Sequence, residues 1–254
     1  MTTRKVLNGK PYAGNLHVRF DEGSGAPSAK PRCGSLFYKK LVAVTALALG
    51  AVCYGECCCS QLKPIKWADD AFKSGVWTKD ADGVLTASKD VAIWSADDYE
   101  NFTLSFEYKL DPAANSGVII YCSNMRRWVP NSVEIQLLDD DAAKWAKEKP
   151  YFKNSSLFGH LAPLATPAKP AGEWNKMTIT AKGKKIVVTV NGVKTIDTDL
   201  SQWTSAKTNP DGTKIPSWLS RPWAELDTKG RIGFQGMHGG AKPYFRNVKV
   251  GPAK

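Results

Sequence analysis

The chain of 254 residues is long enough for one large domain or two small ones, and its 43% hydrophobic content supports a sizeable core and excludes a disordered protein. The formal net charge is +11. In residues 63–254 the basic side chains are scattered, with no run longer than Lys184-Lys185 and no Arg-rich helix. We interpret this charge as a solubilising surface and expect no nucleic-acid partner.

Residues 1–62 have the features of a leader. Lys39 and Lys40 precede the apolar run LVAVTALALGAVCY (41–54), which is the basic-then-apolar order of an export signal at about residues 39–55. As a helix this run is about 21 Å long, too short for a permanent span of a bilayer core of about 30 Å. We expect a periplasmic or cell-surface protein. Because an export signal normally starts near the initiator, a further hypothesis is that translation starts at 36–41 and that the upstream residues are not part of the natural protein.

The cysteines are concentrated in the same leader. Five of the six lie in the first sixty residues, and only Cys122 lies in the body, so the body is not a disulfide scaffold. The stretch CYGECCCS lacks the paired spacing and the histidines of a zinc site. One of its cysteines could carry a lipid, as in a bacterial lipoprotein. We expect membrane contact only through the signal or such an anchor.

Residues 63–254 are predicted to form a single all-β domain. Ten stretches of 5 to 9 residues are rich in Val, Ile, Thr and aromatics and end at turn formers. They are GVLTA (83–87), VAIWS (91–95), FTLSFEYKL (102–110), SGVIIYC (116–122), VEIQLL (133–138), KMTITA (176–181), KIVVTV (185–190), VKTIDT (193–198), RIGFQG (231–236) and YFRNVKV (244–250). Gly183 and the pair Asn191-Gly192 predict hairpins between three of them. This pattern predicts an antiparallel β-sandwich or jelly roll.

Two long segments, 139–171 and 201–229, interrupt the strands. Only 142–147 could form a helical turn. Loops of this length in a compact domain are usually functional, and the Pro and aromatic content of both predicts ordered walls rather than linkers.

The strand alternation places polar residues together on one outer face. In 133–138, Glu134 and Gln136 face away from the apolar positions, and in 231–236, Arg231 and Gln235 do the same. His238 follows just beyond. This convergence indicates a site on the concave side of a sheet. The alternative is the ordinary solvated face of an antiparallel sheet.

Histidines and tryptophans supply further candidates. His160 and His238 could each act as a general acid or base or as a metal ligand. No motif requires a cofactor, and the cofactor left open is a divalent cation held by Glu134 and His238. Of the tryptophans, Trp77 and Trp94 are predicted to be core residues. Five tryptophans in loops or at strand ends could stack on a sugar ring, namely Trp128, Trp145, Trp203, Trp218 and Trp223. We select Trp128, Trp218 and Trp223 for this role.

Six stretches of the chain resemble, in order, the 3-keto-disaccharide hydrolase family. They are NSGVIIY (115–121), VEIQLLDD (133–140), SLFGHLAP (156–163), KPAGEWNKMTITAKGKKIVVTVNGVKTIDTD (169–199), GRIGFQGMHGG (230–240) and YFRNVKV (244–250). The resemblance covers about residues 65–251. It implies a concanavalin A-like jelly roll, export in bacteria, and action on glycosides oxidised at C3. The matching site positions are Glu134, Gln136, Asp139, His160, Gln235 and His238, with Asn115 and Arg231 nearby.

Cleavage of such a substrate needs few groups. A ketone at C3 acidifies the proton at C2, so a base removes it while the aglycone leaves C1, and water adds back later. We predict His160 or Glu134 as the base. The enolate stabiliser is predicted to be Gln136, Arg231 or a cation on Glu134 and His238.

Two other functions are open at this stage. The first is a non-catalytic, lectin-like carbohydrate-binding module. The second is a laminarinase-like retaining glycosidase, because EIQLLD has the spacing of the ExDxxE pattern of those enzymes, with Gln136 and Asp139 at its second and third positions. Glu134 and Asp139 would share a cleft only if a β-bulge intervened.

Overall fold

The computed structural model describes residues 62–253 of the chain. The export signal, the leader cysteines and the hypothesis about the start of translation fall outside this range and stay predictions. In the described range, no helix combines the length and the apolar character that a membrane crossing requires.

Two antiparallel sheets form the architecture of this range, which confirms the all-β jelly-roll prediction. The strands are β1 (Lys63–Pro64), β2 (Trp77–Lys79), β3 (Leu85–Ala87), β4 (Ile93–Glu100), β5 (Phe102–Leu110), β6 (Asn115–Cys122), β7 (Val133–Leu138), β8 (Asn175–Lys182), β9 (Lys185–Val190), β10 (Val193–Asp199), β11 (Lys229–Phe234) and β12 (Pro243–Pro252). The larger sheet has the order β10-β9-β8-β5-β12-β3-β2, with β1 paired to β12. The smaller sheet has the order β4-β11-β6-β7.

The local sequence signals correspond closely to these elements. Strands β5, β7 and β9 have the predicted bounds, whereas the short β1 and β2 carry too few residues for a periodic signal. At the β9–β10 hairpin, Asn191 and Gly192 have φ angles of 50° and 84°, as a type I′ turn requires. A short 3-10 turn, Ala143–Trp145, occupies the predicted helical position.

Aromatic packing between the sheets fixes which face of each strand points inward. Phe234 of β11 stacks on Phe245 of β12 with ring centroids 4.2 Å apart and an interplanar angle of 4°. Phe106 of β5 packs against Phe234 at 5.1 Å. Because side chains alternate along a strand, an inward Phe234 directs Gly233 and Gln235 outward. The buried Val133, Ile135 and Leu137 direct Glu134 and Gln136 outward in the same way.

The long loop 139–171 covers the outer face of the small sheet. Its residues Ser155, Ser156 and Phe158 pair with the free edge of β7, since Ser155 N donates to the Gln136 carbonyl at 2.7 Å and Phe158 N to the Glu134 carbonyl at 2.9 Å. Under this cover Glu134 is 9% and Gln136 2% exposed. At these two positions the outer face is therefore not solvated, and the interpretation as an ordinary solvated face is wrong there.

We predict that Phe234→Ala lowers the free energy of unfolding by about 3–5 kcal/mol, because the ring fills the space between the sheets and its loss leaves a cavity. Urea unfolding followed by fluorescence measures this change. Leu164→Ala is the control, since that side chain is 71% exposed. A loss no larger than that of the control would show that the stacked rings do not hold the sheets together.

Candidate active site

Two glycines on the outer face of the small sheet leave space for larger neighbouring side chains. Gly117 of β6 pairs with Gln136 of β7, and Gly233 of β11 pairs with Trp94 of β4. A Cβ atom at position 117 would lie 2.0 Å from Oε1 of Glu134, and one at position 233 would lie 2.6 Å from the Trp94 ring. The Glu134 carboxyl and the Trp94 indole therefore lie flat over bare backbone. Trp94 is a cleft residue, so its prediction as a core side chain is wrong, whereas Trp77 lies in the core.

The Glu134 carboxyl has a raised pKa, as a proton donor at neutral pH requires. Burial, and next the negative charge of Asp90, raise its pKa from the ordinary value of 4.5 to about 8, so at neutral pH the group is mostly protonated. Among the described residues it makes no hydrogen bond or ion pair, although its neighbour Gln136 does. An acid without an internal partner is free to donate to a ligand in the cleft.

An Asp–His pair lies beside this acid. Nδ1 of His238 is 2.6 Å from Oδ2 of Asp90, and because a carboxylate accepts, the ring N–H at Nδ1 donates and leaves Nε2 for another partner. Backbone bonds hold the pair in place, since Met237 N donates to the Lys89 carbonyl and the backbone at His238 bridges to Asn115 of β6. Gln235 adjoins it, with its backbone N–H donating to the Gly117 carbonyl.

A cavity of about 250 Å³, here called the aromatic pocket, opens at the end of β7. Trp145, Phe152, Phe158 and Trp218 line it, together with Asn115 and Gln136 from the sheet. The Gln136 Nε2 donates to Asn115 Oδ1 at 3.2 Å. Both long loops thus supply aromatic walls, and the predicted Trp218 is one of them.

The structure does not bring His160 to the cleft surface. Its ring is 3% exposed and stacks on Trp223 with centroids 3.6 Å apart. Its Nδ1–H donates to the Phe158 carbonyl at 2.8 Å, and burial lowers its pKa to about 4. The same packing buries Trp223, at 3% exposed, among core residues rather than on a substrate surface. The predicted roles of His160 as base and Trp223 as a stacking residue are therefore not supported by their positions.

Two other predicted binding residues lie away from Gln136. Arg231 forms an ion pair with Asp98 at 2.9 Å and donates to the carbonyls of Ser95 and Ala96, which ties it to the β4 edge. Trp128 is half-buried in the β6–β7 connection and does not line the aromatic pocket.

Asp139 faces away from the cleft. The β6–β7 register runs without a shift from Ile120↔Val133 to Asn115↔Leu138, so the bulge that would bring Asp139 beside Glu134 is absent from this pair. The Asp139 carboxylate instead accepts from Ala113 N at 2.7 Å. The prediction that Asp139 belongs to the site is therefore wrong. The pair of opposed carboxylates that a laminarinase-like enzyme needs does not form here.

The described residues do not supply a set of protein ligands for a metal ion. In residues 62–253, no three His, Cys, Asp or Glu side chains come together in a metal-binding arrangement. Of the predicted pair, His238 is bonded to Asp90 and Glu134 is mostly protonated at neutral pH. We therefore assign no catalytic step to a cation.

Sequence reasoning missed Asp90, Trp94 and the role of Gly117. Asp90 lies in a bend before β4, and the packing of Gly236 and the hydrogen bond of Met237 against the backbone of residues 89–91 place it near His238. Gly117 carries a signal that could have been used, because a glycine inside a strand marks the close approach of another group.

Comparisons with known proteins agree with this fold. The sequence model of the 3-keto-alpha-glucoside-1,2-lyase-like domain matches residues 63–251. A 3-keto-disaccharide hydrolase of Bacteroides thetaiotaomicron is 27% identical over 172 residues, covering 60% of this chain and 58% of that protein. The chain thus matches less than two thirds of the length of this curated relative.

Two solved structures also match this chain. A candidate glycosyl hydrolase of Parabacteroides distasonis ATCC 8503 is 48% identical with a TM-score of 0.68, covering 70% of this chain and 90% of that one. A second candidate glycosyl hydrolase from the same strain is 22% identical with a TM-score of 0.56 and shares the fold. The match covers 70% of this chain and 84% of that one.

We predict that Glu134→Gln makes stability less dependent on pH. Because the folded pKa of Glu134 exceeds its unfolded value, the contribution of this group is complete below pH 4.5 and is lost as the pH rises through about 8. Relative to the wild type, the variant should gain roughly 3–5 kcal/mol of unfolding free energy between pH 4.5 and pH 9. Urea unfolding at both pH values measures it. The exposed Glu148→Gln is the control, and equal curves for the two variants would refute the raised pKa.

Proposed function

The chain belongs to the 3-keto-alpha-glucoside-1,2-lyase-like domain family, and from this membership we propose that it cleaves glucosides oxidised at C3. One observation supports the proposal above the others. The buried Glu134 carboxyl lies over Gly117, is protonated at neutral pH and has no hydrogen-bond partner among the described residues. It lies near the hydrogen-bonded pair His238 and Asp90. The cleft therefore offers one proton donor and one proton acceptor, which is what an elimination requires.

The proposed step moves two protons and breaks one C–O bond. His238 Nε2 takes the proton from C2, which the C3 ketone acidifies, and the electron pair of that C–H bond forms the C1–C2 double bond. The C1–O bond breaks, and Glu134 donates its proton to the departing oxygen. The products are the free alcohol and an unsaturated 3-keto sugar, and addition of water across the new double bond completes a net hydrolysis.

Other cleft residues take supporting roles in this proposal. Asp90 accepts from His238 Nδ1 and so fixes the tautomer of the neutral ring in which Nε2 carries the lone pair. The Trp94 indole over Gly233 offers a flat face for the sugar ring. The Gln235 backbone N–H donates to the Gly117 carbonyl, and we assign its side-chain amide the role of donor to the oxygen at C3 as negative charge develops there.

We predict that the protein cleaves a 3-keto-α-glucoside but not its unoxidised parent, since only the ketone acidifies C2. A proton-NMR time course in D₂O should show loss of the aglycone and entry of deuterium at C2. Glu134→Gln should lower the rate by about 10²–10⁴-fold, as loss of a general acid does.

The alternatives give different time courses in that experiment. Equal cleavage of the parent would contradict the requirement for a ketone. Sugar binding without turnover by the wild type would favour the lectin-like module. Relative to the wild type, the double variant Glu134→Gln with His238→Ala should lose less activity than the product of the two single losses, because the two groups act in one step.

We predict a pH profile in which kcat/KM falls as the pH rises through about 8, where Glu134 loses its proton. The negative charge of Asp90 contributes to the raised pKa of Glu134, so Asp90→Asn lowers this pKa and moves the alkaline limb to lower pH. Steady-state kinetics between pH 5 and pH 10 measure the limb. Asp82→Asn is the control, because this exposed side chain lies elsewhere. An unmoved limb in Asp90→Asn would mean that Glu134 is not the titrating acid.

A further inference from the structure

The aromatic pocket contains a polar atom that the proposed reaction does not use. Oε1 of Gln136 has no hydrogen-bond partner among the described residues, and the residue is buried, with only 2% of its surface exposed. Its Nε2 donates to Asn115 Oδ1, which holds the amide in place. A buried acceptor without a donor costs roughly 1–3 kcal/mol, so a ligand hydroxyl that donates to Oε1 would recover that free energy.

The rest of the pocket is apolar and flat-sided. Four of its eight lining residues are aromatic, namely Trp145, Phe152, Phe158 and Trp218, and a fifth is Leu138. The polar side chains at its surface are few, namely Asn115, Gln136 and the exposed Glu148. A pyranose ring would bring several hydroxyls to a surface with little to bind them, and each unpaired hydroxyl would be penalised. An aromatic ring gains from stacking on these walls and needs one polar partner at most.

The pocket adjoins the acid that serves the departing oxygen. The Glu134 carboxyl reaches over Gly117, and Gly117 is the cross-strand partner of Gln136. Glu134 and Gln136 are alternate residues on one face of β7, about 7 Å apart along the strand. A glycosidic oxygen placed at Glu134 therefore has its aglycone next to Gln136.

We propose that the aromatic pocket binds the leaving group of the substrate and selects an aromatic ring that carries a hydroxyl. The ring packs among Trp145, Phe158 and Trp218, and its hydroxyl donates to Gln136 Oε1. The identification of this ring as a leaving group rests on the proposed function. The binding preference itself does not depend on turnover.

The test compares three ligands that differ in one group: the 3-keto derivatives of methyl, phenyl and 4-hydroxyphenyl α-D-glucopyranoside. Dissociation constants are measured by calorimetry with the Glu134→Gln variant, and kcat/KM with the wild type. We expect phenyl to bind more tightly than methyl, and 4-hydroxyphenyl to bind about 3–10-fold more tightly than phenyl, as one net hydrogen bond provides.

Variants assign each part of the preference to a residue. Gln136→Leu should remove the difference between phenyl and 4-hydroxyphenyl, and Gln136→Met serves if the first variant does not fold. Trp218→Ala should reduce the difference between phenyl and methyl. Trp174→Phe is the matched control, because Trp174 contacts Arg246 of the other sheet and should change neither ratio.

The outcomes separate the two proposals. Equal or absent affinity across the series, or tighter binding of a 3-keto disaccharide than of the aryl ligands, overturns the pocket assignment even where the reaction occurs. The expected ranking with no turnover of any 3-keto ligand supports the pocket as a binding site and overturns the proposed reaction.

Discussion

The stacking of Phe234 on Phe245 is the contact on which the rest of the structure depends. It joins the two sheets and fixes Phe234 inward, so the residues on either side of it in the chain must face outward. The apolar positions of β7 impose the same constraint on Glu134 and Gln136. The outward placement of Glu134, Gln136, Gly233 and Gln235 follows from this parity, because a shift of one residue in either strand would exchange the core and the cleft.

The acid of this cleft obtains its raised pKa from exclusion of water rather than from an unusual set of residues. Loop 139–171 pairs with the edge of β7 and buries a carboxyl that an open sheet would leave ionised. Gly117 makes room for that carboxyl, and Asp90 disfavours its charged form. A buried acid of this kind lowers stability as the pH rises, which is the common trade of stability for activity at functional sites. The loop and Gly117 therefore determine the protonation state of Glu134, because they create the buried position that raises its pKa.

The sequence was sufficient for the longer strands and for the outward face, since β5, β7 and β9 alternate or run apolar over their whole length. It was insufficient where position depends on how a loop packs. His160 follows a glycine in a polar-looking loop, yet its ring stacks on Trp223 in the interior. Asp90 carries no periodic signal, and its approach to His238 depends on contacts between segments about 148 residues apart. Trp94 occupies a strand position that fits a core residue until the glycine opposite it is known.

The number of carboxyl groups in the cleft bears on which substrate it suits. Retaining cleavage of an ordinary glycoside uses two opposed carboxyls, because the substrate contributes no activation of its own. Here Asp139 points away and bonds to Ala113, while Asp90 is engaged by His238. Glu134 is thus a lone acid. A substrate that already has a ketone at C3 supplies the missing activation at C2, so one acid and one base suffice, and the second carboxyl of the cleft acts by positioning the base.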